Sequence, residues 1–320
     1  MKELLSKTGL LKKIAISAVI LVALVFMMDT SKLRFTLDDI HNDAWAIAAG
    51  FIFVQILALS YRWLKLINFY ERKITFRNAV KVNLASLLAN YLFITSVGGI
   101  VVRVAMSVKS RVSLIRSIAA TGLDRLFTLF ALLLLTLIFL PILGQIVSTD
   151  VFHKTVFLLL LCAAGAVVLT LILFEAPRRK IIFSHRKVAM VFGYLRSVFT
   201  NTDVFARITA ASLIGQLAYF AAVYTVLVSI GAEFSWLHFL AVIPVITIVA
   251  SLPIGYGGWG IREGAFVYGL GFISVPIETA FAASIQIGLI SMAATIMTGV
   301  PALLLTYDVR QKIVQRLKNS

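Results

Sequence analysis

The chain has 320 residues, 60% of them apolar, with a mean hydropathy of +0.98. These values exclude an ordinary soluble domain. The formal charge of +16 sits between apolar runs, which fits cytoplasmic loops of a membrane protein better than a nucleic-acid surface.

Lys2, Lys7, Lys12 and Lys13 precede an apolar run at 14–28. No small-x-small cleavage pattern precedes Asp29, so this run reads as a first span with a cytoplasmic N-terminus. An outer loop with Asp38, Asp39 and Asp43 leads to a second span at 44–64, which holds Arg62-Trp63 at its inner end. Such a pair suits the interface, the ring at headgroup level and the cation reaching phosphate. An apolar limb at 79–95 then meets Gly98-Gly99, followed by a limb of ten residues, 99–108. Ten helical residues cover about 15 Å, half of a hydrocarbon core. Long runs follow at 117–140, which contains Asp124-Arg125, at 155–175 and at 206–230. A second interrupted segment has limbs at 237–253 and 264–273, and the last run, 277–305, precedes Arg310, Lys312, Arg316 and Lys318. These unbroken runs lack the short alternation of a membrane β-barrel.

The second break holds Gly255, Gly257, Gly258 and Gly260. Glycines at that density cannot sustain a good helix, and irregular backbone at membrane depth survives only against protein or a wet cavity. It ends in Arg262-Glu263, and ionisable residues at that depth are functional candidates. Both breaks read G-G-x-x-x-R: Gly98, Gly99, Arg103 and Gly257, Gly258, Arg262, 159 residues apart, half the chain length.

This pattern predicts an all-α polytopic membrane protein with one transmembrane domain over 1–320. Its pseudo-symmetric halves lie at about 14–150 and 155–305, with re-entrant segments at about 79–108 and 237–273. Three spans separate the two hairpins, so they enter from opposite sides as an inverted-topology repeat. The matching topology, with both termini on the cytoplasmic side of the cell membrane, puts 24 of the 30 Lys and Arg in the cytoplasm. It leaves three outside and three, Arg103, Arg125 and Arg262, in the interior.

An anion brought to that depth needs its charge compensated. Broken-helix N-termini offer N–H groups to anions, and arginine holds phosphate bidentately without deprotonating. Arg103 and Arg262 are the leading candidates for that role. Arg125, Glu263, Tyr256, Gly98, Gly99, Gly257 and Gly258 complete the candidate substrate site. The competing reading of Arg262 and Glu263 is an intramembrane pairing that holds the hairpin together. Asp124 is the candidate structural charge partner. Adjacent helical residues point about 100° apart, so Asp124 and Arg125 each need a partner elsewhere; Asp124–Arg103 and Glu263–Arg125 are the expected pairs. Gln216 and Gln286 suit interhelical hydrogen bonds. Cys162, the single cysteine, suits packing, and the four scattered histidines suggest no metal or cofactor site.

The residues Pro253, Gly257-Gly258, Gly260 and Ile261-Arg262-Glu263-Gly264 resemble the P-x-x-x-G-G-x-G-x-R-E signature of a flippase-like family. That family includes the membrane domain of lysylphosphatidylglycerol synthases, the multiple peptide resistance factors. The resemblance extends to Arg62-Trp63, to Gly98-Gly99 with Arg103, and to Asp124-Arg125, and spans about residues 10–310. Many relatives carry an acidic residue where this chain has Ile100. The resemblance implies a flippase moving an anionic or aminoacylated phospholipid, or a lipid-linked phosphate, between leaflets. The soluble aminoacyl-transferase domain of bifunctional members is not expected here, and transferase activity is not carried over. The alternatives are a membrane-embedded headgroup enzyme and a non-transporting partner of a separately encoded lipid synthase. Nucleic acid is not an expected partner, and the oligomeric state is left open.

Overall fold

The computed structural model describes residues 42–70, 73–92, 96–179, 186–252 and 260–318. The expected first span at 14–28 and most of the second glycine-rich break, with Tyr256, Gly257 and Gly258, lie outside them. The described residues form eleven helices and no strand. In chain order these are α1 (Asn42–Ile67), α2 (Phe76–Leu92), α3 (Ser96–Lys109), α4 (Leu114–Ile138), α5 (Leu140–Ile146), α6 (Thr149–Arg179), α7 (Arg186–Thr200), α8 (Thr202–Ser229), α9 (Trp236–Ala250), α10 (Ile261–Gly271) and α11 (Ile277–Lys318).

Four described helices are long and apolar enough to cross a bilayer: α1, α4, α8 and the part of α11 up to Pro301. Their outward faces remain apolar, as at Leu137, Ile214 and Met297, which suits contact with acyl chains. The short helices come in pairs. With 17 and 14 residues in α2 and α3, and 15 and 11 in α9 and α10, each spans about 16–26 Å, less than a roughly 30 Å hydrocarbon core.

Packing follows the sequence order twice. The central pair is α1 against α8, where a Cβ at Gly215 would stand 3.0 Å from Leu59 Cδ2, the close approach that small residues permit. Helix α2 packs on α3, and α3 on α4; likewise α9 packs on α10, and α10 on α11. Each half also leans on the other, α2 against α11 and α9 against α4. One buried apolar cluster joins α1, α4, α8, α9, α10 and α11 through residues such as Ile52, Phe220, Phe239, Phe266 and Ile287. A second, around Trp63, Leu66, Leu123, Phe127 and Tyr194, ties α1 and α4 to the amphipathic α7. Tyr194 donates to the Leu66 carbonyl at 2.9 Å, and its burial pushes the hydroxyl above its ordinary range.

The breaks differ from the sequence expectation. The first limb ends at Leu92, and helix resumes at Ser96, so Gly98-Gly99 lie in the first turn of α3 rather than at the break. First-turn amides have no intrahelical acceptor, so glycine disrupts less there than in mid-helix. The second short limb begins at Ile261, three residues before the expected 264, because Gly260 takes a left-handed φ of 87° that starts a helix at once. The run expected at 117–140 ends at Ile138, and α5 restarts the helix with Pro141 in its first turn.

The second pair is held close by Gly269, where a Cβ would press into Ile246 Cγ1 and lie 2.6 Å from its Cδ1. Gly269→Ala is expected to cost about 1–3 kcal/mol of stability by overpacking. Ile246→Ala in the same chain should recover part of that loss. Thermal unfolding of the purified single and double variants checks both; a double variant no more stable than Gly269→Ala would rule this contact out as the cause.

Candidate functional site

Arg62, Arg103 and Asp124 come together from α1, α3 and α4. Arg62 is 1% exposed, Arg103 6% and Asp124 3%. Arg62 Nε donates to Asp124 Oδ1 and Arg103 Nη1 to Asp124 Oδ2, each at 2.7 Å. The rest of the Arg62 fork is also occupied: Nη1 donates to Ser212 Oγ at 3.2 Å and Nη2 to Thr128 Oγ1 at 2.9 Å. Arg103 Nη2 donates to Asn83 Oδ1, and its guanidinium carbon lies 5.6 Å from the Trp63 ring centroid. Asn83 is in turn oriented by Ser60 Oγ at 3.0 Å. The cluster thus joins five helices and holds two guanidinium groups against one carboxylate. Arg103 Nε and Trp63 Nε1 are buried donors without an acceptor.

This corrects one expectation. Arg62-Trp63 is not an interfacial pair reaching for headgroups; both residues are buried. Arg62 stands five residues, about 8 Å, from the end of α1, and faces Asp124 and Ser212 rather than the loop. The expected Asp124–Arg103 contact is present.

Gly99 does not present a free amide to an anion. Gly99 N donates to Asn90 Oδ1 at 2.9 Å, and Ser86 Oγ donates to Gly99 O at 2.8 Å. A Cβ on Gly99 would lie 2.5 Å from the Ser86 carbonyl oxygen. In the first half this glycine therefore seals α2 against α3.

The second cluster centres on Glu263, which is 0% exposed. Its Oε2 accepts from Gly260 N at 2.5 Å, the carboxylate half of a capping box at the start of α10. Its Oε1 accepts from Arg262 Nη2 at 2.7 Å, from Arg262 Nε at 2.9 Å and from Ser284 Oγ at 3.3 Å. Arg262 Nε also meets Ser284 Oγ at 3.2 Å. One turn further along α11 is Gly288, where a Cβ would lie 2.5 and 2.6 Å from the Arg262 Nη atoms. The guanidinium lies flat where a side chain would otherwise stand. The Arg262 side chain keeps 21% of its exposure, and α10 begins there, about 15 Å from its far end at Gly271.

The expected Glu263–Arg125 pair does not form. Arg125 is exposed on α4, and Glu263 pairs with its own neighbour instead. The 100° divergence of adjacent residues is overcome because the cap bond folds Glu263 back along the helix, level with Arg262. Sequence reasoning missed Ser284 and Gly288 on α11 and Asn83, Ser86 and Asn90 on α2. The α2 set had a legible signal: three polar residues on one face of an apolar segment, at spacings of three and four. Gln286 does hydrogen-bond across helices, accepting from Trp45 Nε1 at 3.1 Å.

Long apolar helices, two short helix pairs and ion pairs within apolar segments define a polytopic membrane protein. Residues 11–299 match the family described as lysylphosphatidylglycerol synthase TM region, and the chain belongs to it. No individual curated protein matches the chain.

Proposed function

We propose that the protein carries a phosphate-bearing membrane lipid from one leaflet to the other. The observation that carries this reading is Arg262: a guanidinium anchored by Glu263, laid against Gly288, and still partly open at the start of α10. Such a group is positioned to compensate a phosphate without itself deprotonating. Membership of a family named for a lipid synthase's membrane region agrees with a lipid as cargo.

The recurring order long, short, short, long in α1–α4 and α8–α11 supports an inverted-topology repeat. On this reading the α2–α3 and α9–α10 pairs are re-entrant and approach from opposite faces, so a site between the halves is reached from either leaflet. The positive-charge distribution supports cytoplasmic termini in a cell membrane. Transport is favoured over headgroup catalysis because Asp124 and Glu263 are both held in ion pairs, which leaves neither as an accessible general acid or base.

The test is leaflet exchange of acyl-chain-labelled phosphatidylglycerol in vesicles containing the purified protein. Exchange more than about 100-fold faster than in protein-free vesicles is expected, so that the slowing caused by losing one charged partner is read above the protein-free rate. Exchange at the protein-free rate would overturn translocation and favour a scaffolding partner of a lipid synthase.

A further inference from the structure

The charge balance at depth bears on which lipid crosses. Among the described residues, the carboxylates within the apolar stretches that surround the two clusters are Asp124 and Glu263. Neither can receive a cation. Asp124 accepts from two arginines and is 3% exposed. Glu263 accepts from Arg262, Gly260 N and Ser284 and is 0% exposed. The other described acids with placed side chains, Asp43, Asp150, Asp203, Glu233 and Glu278, stand at helix ends or in a loop. By sequence alone, 93–95 and 253–259 contain no acid, and Glu175 and Asp308 adjoin Arg178-Arg179 and Arg310 near the ends of their apolar runs.

Donors, by contrast, are in excess. The first cluster has two guanidinium groups to one carboxylate, and Arg103 Nε and Trp63 Nε1 are buried without acceptors. Arg262 adds a partly open cation whose own counter-charge is fully enclosed. An interior of this kind compensates negative charge and repels positive charge.

We infer that the site selects lipids whose headgroup carries net negative charge, such as a phosphodiester or terminal phosphate, and rejects headgroups made cationic by aminoacylation. The inference rests on the translocation reading and narrows it. A net-cationic headgroup would bring its ammonium past fixed guanidinium groups with no carboxylate to receive it.

The experiment compares three acyl-chain-labelled lipids in the same vesicles containing wild-type protein: phosphatidylglycerol, phosphatidylethanolamine and lysylphosphatidylglycerol. Their net charges are negative, neutral and positive. The expected result is exchange fastest for phosphatidylglycerol and slower by at least about 30-fold for lysylphosphatidylglycerol, the size of a single unit-charge interaction at about 8 Å and an effective dielectric of about 20. Lysylphosphatidylglycerol exchanging as fast as phosphatidylglycerol, or faster, overturns the inference and leaves translocation standing. No acceleration of any of the three overturns translocation itself. A second readout needs no transport: phospholipids retained by detergent-purified protein, identified by mass spectrometry, should be enriched in anionic species over the starting membrane. Enrichment of aminoacylated species contradicts the inference independently.

Discussion

Asp124→Asn is expected to destabilise the protein by about 3–5 kcal/mol, the cost of removing one member of a buried ion pair. The side chain shape is kept, but two guanidinium groups, 1% and 6% exposed, lose the carboxylate that pairs with both of them among the described residues. In the present geometry each arginine meets a different oxygen, so the new amide turns its oxygen to one arginine and its NH2 donors to the other. The order among related variants is the sharper test. Arg103→Met should cost less, because it leaves a one-to-one Arg62–Asp124 pair and removes the unpartnered Arg103 Nε. Arg62→Met should cost more than Arg103→Met, since Arg62 also holds Thr128 and Ser212. Adding Arg103→Met to Asp124→Asn should recover part of the loss by removing an uncompensated charge. Thermal or denaturant unfolding of the purified proteins measures the series. Asp124→Asn within about 0.5 kcal/mol of wild type, the range of an ordinary surface change, would show that the cluster does not hold the five helices together.

Arg262→Ala should slow phosphatidylglycerol exchange by about 100-fold, the effect of truncating one partner of a buried, hydrogen-bonded charge pair. Two losses act in the same direction. The cation facing the headgroup is gone, and among the described residues Glu263 is left enclosed with Gly260 N and Ser284 Oγ as its remaining donors, so a buried negative charge now opposes an anionic cargo. Because the alanine variant combines these effects, Gly288→Ala separates them. Its added Cβ meets the far end of a flexible side chain rather than backbone, so folding is affected little while the guanidinium is displaced. Exchange is expected to fall about tenfold, since an ångström-scale misplacement of a positioned group costs one to two orders of magnitude. In an Arg262→Lys background, where no planar fork lies on Gly288, the same substitution should have little further effect. Wild-type exchange in Gly288→Ala would mean that the seat of the guanidinium is irrelevant to transport.

The helix pairs and the two intramembrane clusters differ in what they ask of the chain. In the first half, Gly99 is enclosed by Ser86 and Asn90, and Arg103 is enclosed with Arg62 and Asp124; this half is built to hold. In the second, the Arg262 side chain is 21% exposed while its counter-ion Glu263 is fully enclosed; on the proposed reading, this half presents the charge. A shared G-G-x-x-x-R pattern thus supports two different local chemistries, because the residues that complete each cluster come from different helices.

Apolar runs of about 20 residues, the two short limbs and the half-length recurrence of Gly-Gly with arginine were all legible in the sequence, since each depends on local composition and spacing. So was the placement of Arg103, Asp124, Arg262 and Glu263 within or beside apolar segments, which is read along one segment at a time. Which charge meets which was not. Arg62 looked interfacial by position, yet its helix turns it inward to Asp124, 62 residues away in sequence. Glu263 was expected to seek Arg125 on another helix, yet the cap bond to Gly260 N folded it onto its neighbour. The seat for Arg262 is a glycine on α11 that carries no signal of its own, because absence of a side chain has meaning only beside the group that fills the space. Pairing at depth is set by rotation and approach of helices, and those are properties of packing between segments rather than of any one segment.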